Sequence, residues 1–112
     1  MDMNEYQDRA ATTAIYPDAG TGSLRALSYL GLGLGETGEV QGKLKKVLRD
    51  DDGIVTPEVR EAVAGELGDV LWYVAMLARE LNLSLDDIAA DNIEKLAWRA
   101  ARGVIKGSGD NR

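Results

Sequence analysis

Val63-Ala64-Gly65-Glu66-Leu67-Gly68-Asp69-Val70-Leu71-Trp72-Tyr73-Val74-Ala75-Met76-Leu77-Ala78-Arg79-Glu80-Leu81 is the stretch that decides how this chain folds. Val63, Leu67, Val70, Val74, Leu77 and Leu81 recur at alternating spacings of four and three, which is a helical stripe and not a strand. Between Val70 and Ala78 no charged residue stands on any face, so this helix is expected to be covered on several sides.

Working outward, three more helices are expected. Thr56 as N-cap and Pro57 at the first helical position open the central helix, which runs to about Asn82. Ser84, with Asp87 three residues on, resembles a capping box and starts a helix to about Arg102. A first helix spans about Asn4 to Thr13. After the turn-rich Tyr16-Pro17-Asp18-Ala19-Gly20-Thr21-Gly22, a long second one runs from Ser23 as N-cap to about Leu48, where Asp50-Asp51-Asp52-Gly53 breaks it. The residues from Gly103 to Arg112 read as an irregular basic tail. No alternating apolar run suggests a strand, so the fold class is all-α, with one domain over 1–112. Four helices of this size have difficulty surrounding one of their own, and a second subunit is expected to cover the remainder.

The chain has no histidine and no cysteine. Its chemistry therefore rests on two carboxylate pairs, Glu36-Thr37-Gly38-Glu39 and Glu66-Leu67-Gly68-Asp69. Residues three apart lie one turn from each other, so two packed helices can gather four carboxylates, which repel unless a cation sits among them. An all-oxygen donor set suits a hard ion, magnesium or manganese. By itself the first pair reads as a solvated face, pointing away from Leu27, Leu30, Leu34 and Leu48, with Lys43 one turn from Glu39 as an ordinary ion-pair partner. The second pair is harder to dismiss. Glu66 lies roughly 40° from the stripe centre at Val70, and Asp69 about 100° from it on the flank of Tyr73, at the margin of a buried surface.

The last expected helix repeats that placement with opposite charge. Asn92, Lys95, Arg99 and Arg102 form a row that suits phosphate oxygens, and Lys106 and Arg112 extend it. Trp72 is expected in the core, while Tyr73 and Trp98 are candidates to stack on a nucleobase. A net charge of -6 argues against binding a nucleic-acid polymer. With no basic and apolar leader and no membrane-length apolar run, a cytoplasmic protein is expected. Gly33-Leu34-Gly35-Glu36-Thr37-Gly38 matches G-x-G-x-x-G, but that fingerprint works only after a strand, and here helix precedes it.

E-x-x-E, an interval of 26 residues, E-x-x-D and then Asn92-Ile93-Glu94-Lys95 on a later helix together resemble the MazG-like nucleoside triphosphate pyrophosphohydrolases of the all-α NTP pyrophosphatase superfamily. Gly35 to Val40, Lys43, Lys45, Lys46, Glu66 to Tyr73, Tyr6-Gln7 and the tail from Arg102 to Arg112 carry the likeness. The resemblance implies a four-helix MazG-like bundle completed by homo-oligomerisation, as a dimer or tetramer. It implies magnesium on Glu36, Glu39, Glu66 and Asp69, and cleavage of a nucleoside triphosphate between the α and β phosphates, in the service of nucleotide-pool house-cleaning. Glu39 or Glu36 is the candidate base and Lys43 a candidate stabiliser of the leaving pyrophosphate; Asn92 and Lys95 approach phosphates or sugar. Some relatives carry another acid just before the first pair, where this chain has Gly35. The competing class is a non-catalytic helical oligomer whose charged rows serve contacts with partners.

Overall fold

The computed structural model describes residues 1–35, 38–50 and 52–103, and for 38–40 the backbone alone. Among these residues there are five α-helices and no strand: α1 (Met3–Ala10), α2 (Leu24–Gly35), α3 (Gly38–Asp50), α4 (Pro57–Glu80) and α5 (Leu85–Ala101), with a short 3-10 turn, Ala11–Thr13, after α1. Over the span expected as one helix from Ser23 to Leu48, α2 and α3 are described; residues 36 and 37 lie outside the described residues, and Glu39 is in the first turn of α3. α4 and α5 match their expected bounds to within two residues, and α1 ends three residues before the expected Thr13, where the 3-10 turn takes over.

Local signals explain the ends. Asp2 and Glu5 form a reciprocal capping box on α1. Ser23 Oγ accepts from the amide of Ala26, Thr56 Oγ1 from Val59, and Ser84 Oγ from Asp87, each an N-cap that satisfies a donor the helix leaves open. After α3, Asp52 and Gly53 take left-handed conformations, and the amide of Gly53 returns to the carbonyl of Val47, satisfying an acceptor that the helix end leaves open.

α1, α2 and α3 each pack on α4. Tyr16, Ala26, Leu30, Ala75, Met76 and Leu85 form the buried core, with Met3, Tyr6, Trp72, Tyr73 and Val74 packed around it. Burial on α4 therefore centres on Ala75 and Met76, not on the expected stripe, whose members Leu67 and Leu81 are 55 % and 53 % exposed in the single chain. Leu48 of α3, read as part of an apolar side, is also exposed. Trp72 behaves as expected: it packs against the core, and its indole N–H donates to Ala10 O and Thr13 Oγ1.

Two polar groups tie distant parts together. The Gln7 amide donates to the carbonyls of Ala75 and Leu83 and accepts from the amide of Leu85, joining α1 to the corner between α4 and α5. At the end of α4 the buried Glu80 carboxylate accepts from Tyr16 Oη at 2.5 Å and from the amides of Gly20 and Gly22 at 2.6 and 2.7 Å. Gly20 and Gly22 have positive φ, so the backbone of the 16–22 turn can face both amides to one carboxylate. No helix among the described residues is long and apolar enough to cross a membrane.

Candidate active site

Glu66 and Asp69 sit one turn apart on the first half of α4, with α3 on one side and α1 on the other. From α3, Lys43 reaches across so that its Nζ lies 3.6 Å from Glu66 Oε1. The partner expected for Lys43 on its own helix, Glu39, has its side chain outside the described residues; the ion pair described joins the helix that bears Glu39 to the helix that bears Glu66 and Asp69. From α1, Tyr6 approaches Asp69: burial pushes its phenol above the usual tyrosine range, and the Asp69 charge adds to that.

The environments of the two α4 carboxylates differ. The Glu66 side chain is 20 % exposed, in keeping with its place at the margin of a buried surface. Asp69 is exposed, contrary to expectation; the packing described on α4 is concentrated further along, at Ala75 and Met76. Glu36 and the side chain of Glu39 lie outside the described residues, as do Lys106 and Arg112. Among the described residues no group of three acidic side chains is gathered tightly enough to hold a metal.

Tyr73 stands one turn beyond Asp69. Its ring lies against Gly33 of α2, where an added Cβ would come within 2.1 Å of Cε1, and it meets Trp72 edge-on with centroids 5.3 Å apart. Gly33 thus serves close packing of a helix, not a dinucleotide fingerprint.

The row on α5 is divided. Asn92, Lys95 and Arg102 are exposed, whereas Arg99 is only 3 % exposed and so departs from the open basic edge expected there. The Arg102 guanidinium lies 4.0 Å from the centroid of Trp98, a cation–π contact, and Trp98 is 57 % exposed. Asp91, Glu94, Lys95 and Trp98 line a shallow depression along α5.

Sequence reasoning missed the cross-helix reach of Lys43, since spacing reveals neighbours on one helix and not between two. It also missed Tyr6 as a neighbour of Asp69; the pairing depends on how α1 crosses α4.

Comparison with known proteins places the chain in a family. Residues 25–103 match the model of the MazG nucleotide pyrophosphohydrolase domain, a span that takes in α2 to α5 and both carboxylate pairs. The whole chain is also 52 % identical, over 114 aligned residues, to the whole of the Gene 37 protein of Mycobacterium phage L5. No solved structure matches. With helices and no strand among the described residues, and with both acidic pairs and most of the chain's length inside that match, this protein belongs to the MazG nucleotide pyrophosphohydrolase family.

Proposed function

We propose that the protein is a magnesium-dependent nucleoside triphosphate pyrophosphohydrolase that cleaves between the α and β phosphates. The observation that carries this reading is the Lys43–Glu66 contact, which packs the helix bearing Glu39 against the helix bearing Glu66 and Asp69. The donor chemistry fits a hard divalent ion: the acids are oxygen ligands only, and Glu66 already accepts a cation at its carboxylate. Glu36, Glu39, Glu66 and Asp69 would hold it, with manganese as a substitute.

A bound ion supplies charge neutralisation for the phosphates and a more acidic water. Within the protein, Glu39 or Glu36 accepts the proton of the water as its oxygen bonds to the α phosphorus. The bond from that phosphorus to the bridging oxygen breaks, leaving a nucleoside monophosphate and pyrophosphate. Lys43 offsets the charge that builds on the leaving group, and Asn92, Lys95, Arg99, Arg102, Lys106 and Arg112 position phosphates and sugar, with Tyr73 beside the base.

A second copy of the chain is part of this proposal. The exposed Leu67, Leu81, Ile93 and Leu96 and a radius of gyration of 16.9 Å, against about 13 Å for a compact chain of this length, support a homo-oligomer. Sedimentation of the wild type beside Leu67→Lys tests it: a monomer at all concentrations for the wild type rules the oligomer out.

The activity is tested by magnesium-dependent product release from a panel of ribo-, deoxy- and modified nucleoside triphosphates. Monophosphate with pyrophosphate is the expected result. Diphosphate with orthophosphate moves the cut to the terminal phosphate, and no turnover with magnesium or manganese favours a helical interaction module instead.

A further inference from the structure

Between α3 and the opening turns of α4 runs a groove of about 240 Å³ lined by Lys43, Lys46, Glu58, Val59 and Ala62. That is below the roughly 300–1,000 Å³ of pockets that enclose a whole small-molecule ligand, so the groove suits part of one. Lys43 and Lys46 stand one turn apart on α3 and form one wall of the groove. Val59 and Ala62 form the apolar floor. Glu58 lies in the first turn of α4, where the helix macrodipole favours a negative charge.

The two lysines are not in the same state. Lys43 is held on Glu66 at 3.6 Å, outside the role its position in the groove allows. Lys46 makes no ion pair within 4.0 Å among the described residues; the nearby Asp50 is already engaged by Arg49 at 2.8 and 2.9 Å. Among the described residues, one lysine is thus withheld and the other is held in no close ion pair. The withheld one shares its partner with the candidate metal site.

We propose that this groove seats the terminal phosphates of the nucleotide through Lys46 and Lys43, and that Lys43 is withheld on Glu66 until Glu66 takes a divalent cation. The proposal rests on the hydrolase reading above and assigns a subsite to it. Ammonium and divalent ion compete for the same carboxylate, so filling the metal site frees Lys43 to turn into the groove. Before that, Glu58 offsets the single available ammonium and the groove has little attraction for a polyanion. Afterwards two ammonium groups face it. Metal and pyrophosphate then bind with positive coupling, and the coupling is reciprocal.

The test uses the whole protein and two probes, manganese alone and inorganic pyrophosphate in saturating magnesium, each by titration calorimetry. Lys43→Met is expected to tighten manganese binding by up to about fivefold, the strength of a partly exposed ion pair, and to weaken pyrophosphate binding. Lys46→Met is expected to weaken pyrophosphate binding about three- to tenfold with manganese affinity unchanged, and Lys46→Arg to restore it. Lys45→Met removes the same charge from α3 away from the groove and is expected to leave both affinities as they are. Unchanged or weaker manganese binding in Lys43→Met overturns the proposal, as does equal loss of pyrophosphate in Lys45→Met and Lys46→Met. Product release by the wild type, measured alongside, separates the two claims. Turnover without the Lys46 effect sinks the groove alone, and groove binding without turnover sinks the hydrolase reading alone.

Discussion

Tyr16 and Glu80, 64 residues apart, meet in a 2.5 Å hydrogen bond that closes the turn after α1 onto the end of α4. Glu80 is 6 % exposed and its two oxygens take three donors, so the buried charge is well compensated. Glu80→Ala leaves the Tyr16 hydroxyl and two amides without their acceptor and is expected to cost about 3–5 kcal/mol. Tyr16→Phe removes one donor and is expected to cost about 1–2 kcal/mol. Urea unfolding midpoints at neutral pH measure both; equal midpoints for wild type and Glu80→Ala would show that the clasp contributes nothing.

The same pair sets the pH limits of stability. Burial alone would raise the Glu80 carboxyl, but the bonds from Tyr16, Gly20 and Gly22, with the Arg79 charge, together hold it below its ordinary 4.5. Burial first, and then the bond to Glu80, push the Tyr16 phenol from 10 up to about 12. A depressed acid stabilises above its unfolded value, and that contribution is lost as pH falls through the lower folded value. A raised phenol stabilises fully below 10, and that contribution is lost as pH rises to about 12. Melting temperature should therefore be level between these limits and fall on both sides. Tyr16→Phe is expected to flatten the alkaline fall, leaving the smaller part due to Tyr6; an unchanged alkaline arm would count against this assignment.

At Gly33 two effects oppose each other. Alanine gains about 1 kcal/mol of helix propensity, yet its Cβ would lie 2.1, 2.4 and 2.7 Å from three ring atoms of Tyr73. Overpacking of that degree costs about 1–3 kcal/mol, so Gly33→Ala is expected to destabilise on balance. Gly31→Ala, with nothing within 4 Å, is expected to stabilise by up to about 1 kcal/mol. A double-mutant cycle with Tyr73→Ala decides the cause, since removing the ring should turn Gly33→Ala neutral or favourable.

Glu66→Gln and Asp69→Asn are expected to lower magnesium-dependent pyrophosphate release at least about 10–100-fold, the range seen even for outer-shell partners of a metal. Both positions lie off the packed core, so melting temperature should stay near that of the wild type. Full activity in either variant would remove that residue from the candidate metal set.

The helices were legible because their punctuation is local: Ser23, Thr56-Pro57 and Ser84 cap where their chemistry requires. Glycines at 31, 33, 35, 38 and 42 marked no bound, since each lowers helix stability yet all lie inside α2 or α3. The centre of burial on α4 was misplaced because the heptad pattern weights Leu67 and Leu81, whereas in one chain the helices pack on the small side chains at Ala75 and Ala78. In the candidate site, the choice of residues comes from spacing and resemblance. Partners were not legible: Lys43 with Glu66, Tyr6 with Asp69 and Tyr73 with Gly33 all depend on how one helix lies across another.

Gln7 hydrogen-bonds to groups at Ala75, Leu83 and Leu85, so the first helix finishes its docking only on residues 68 to 78 positions later. During synthesis α1 leaves the ribosome early, while its polar partners and most of the surface it covers on α4 are still unmade. Domain closure is thus deferred until the corner between α4 and α5 has emerged. Nascent chains halted before Leu85 should accordingly remain protease-sensitive throughout, and those extended past α5 should gain protection in a single step.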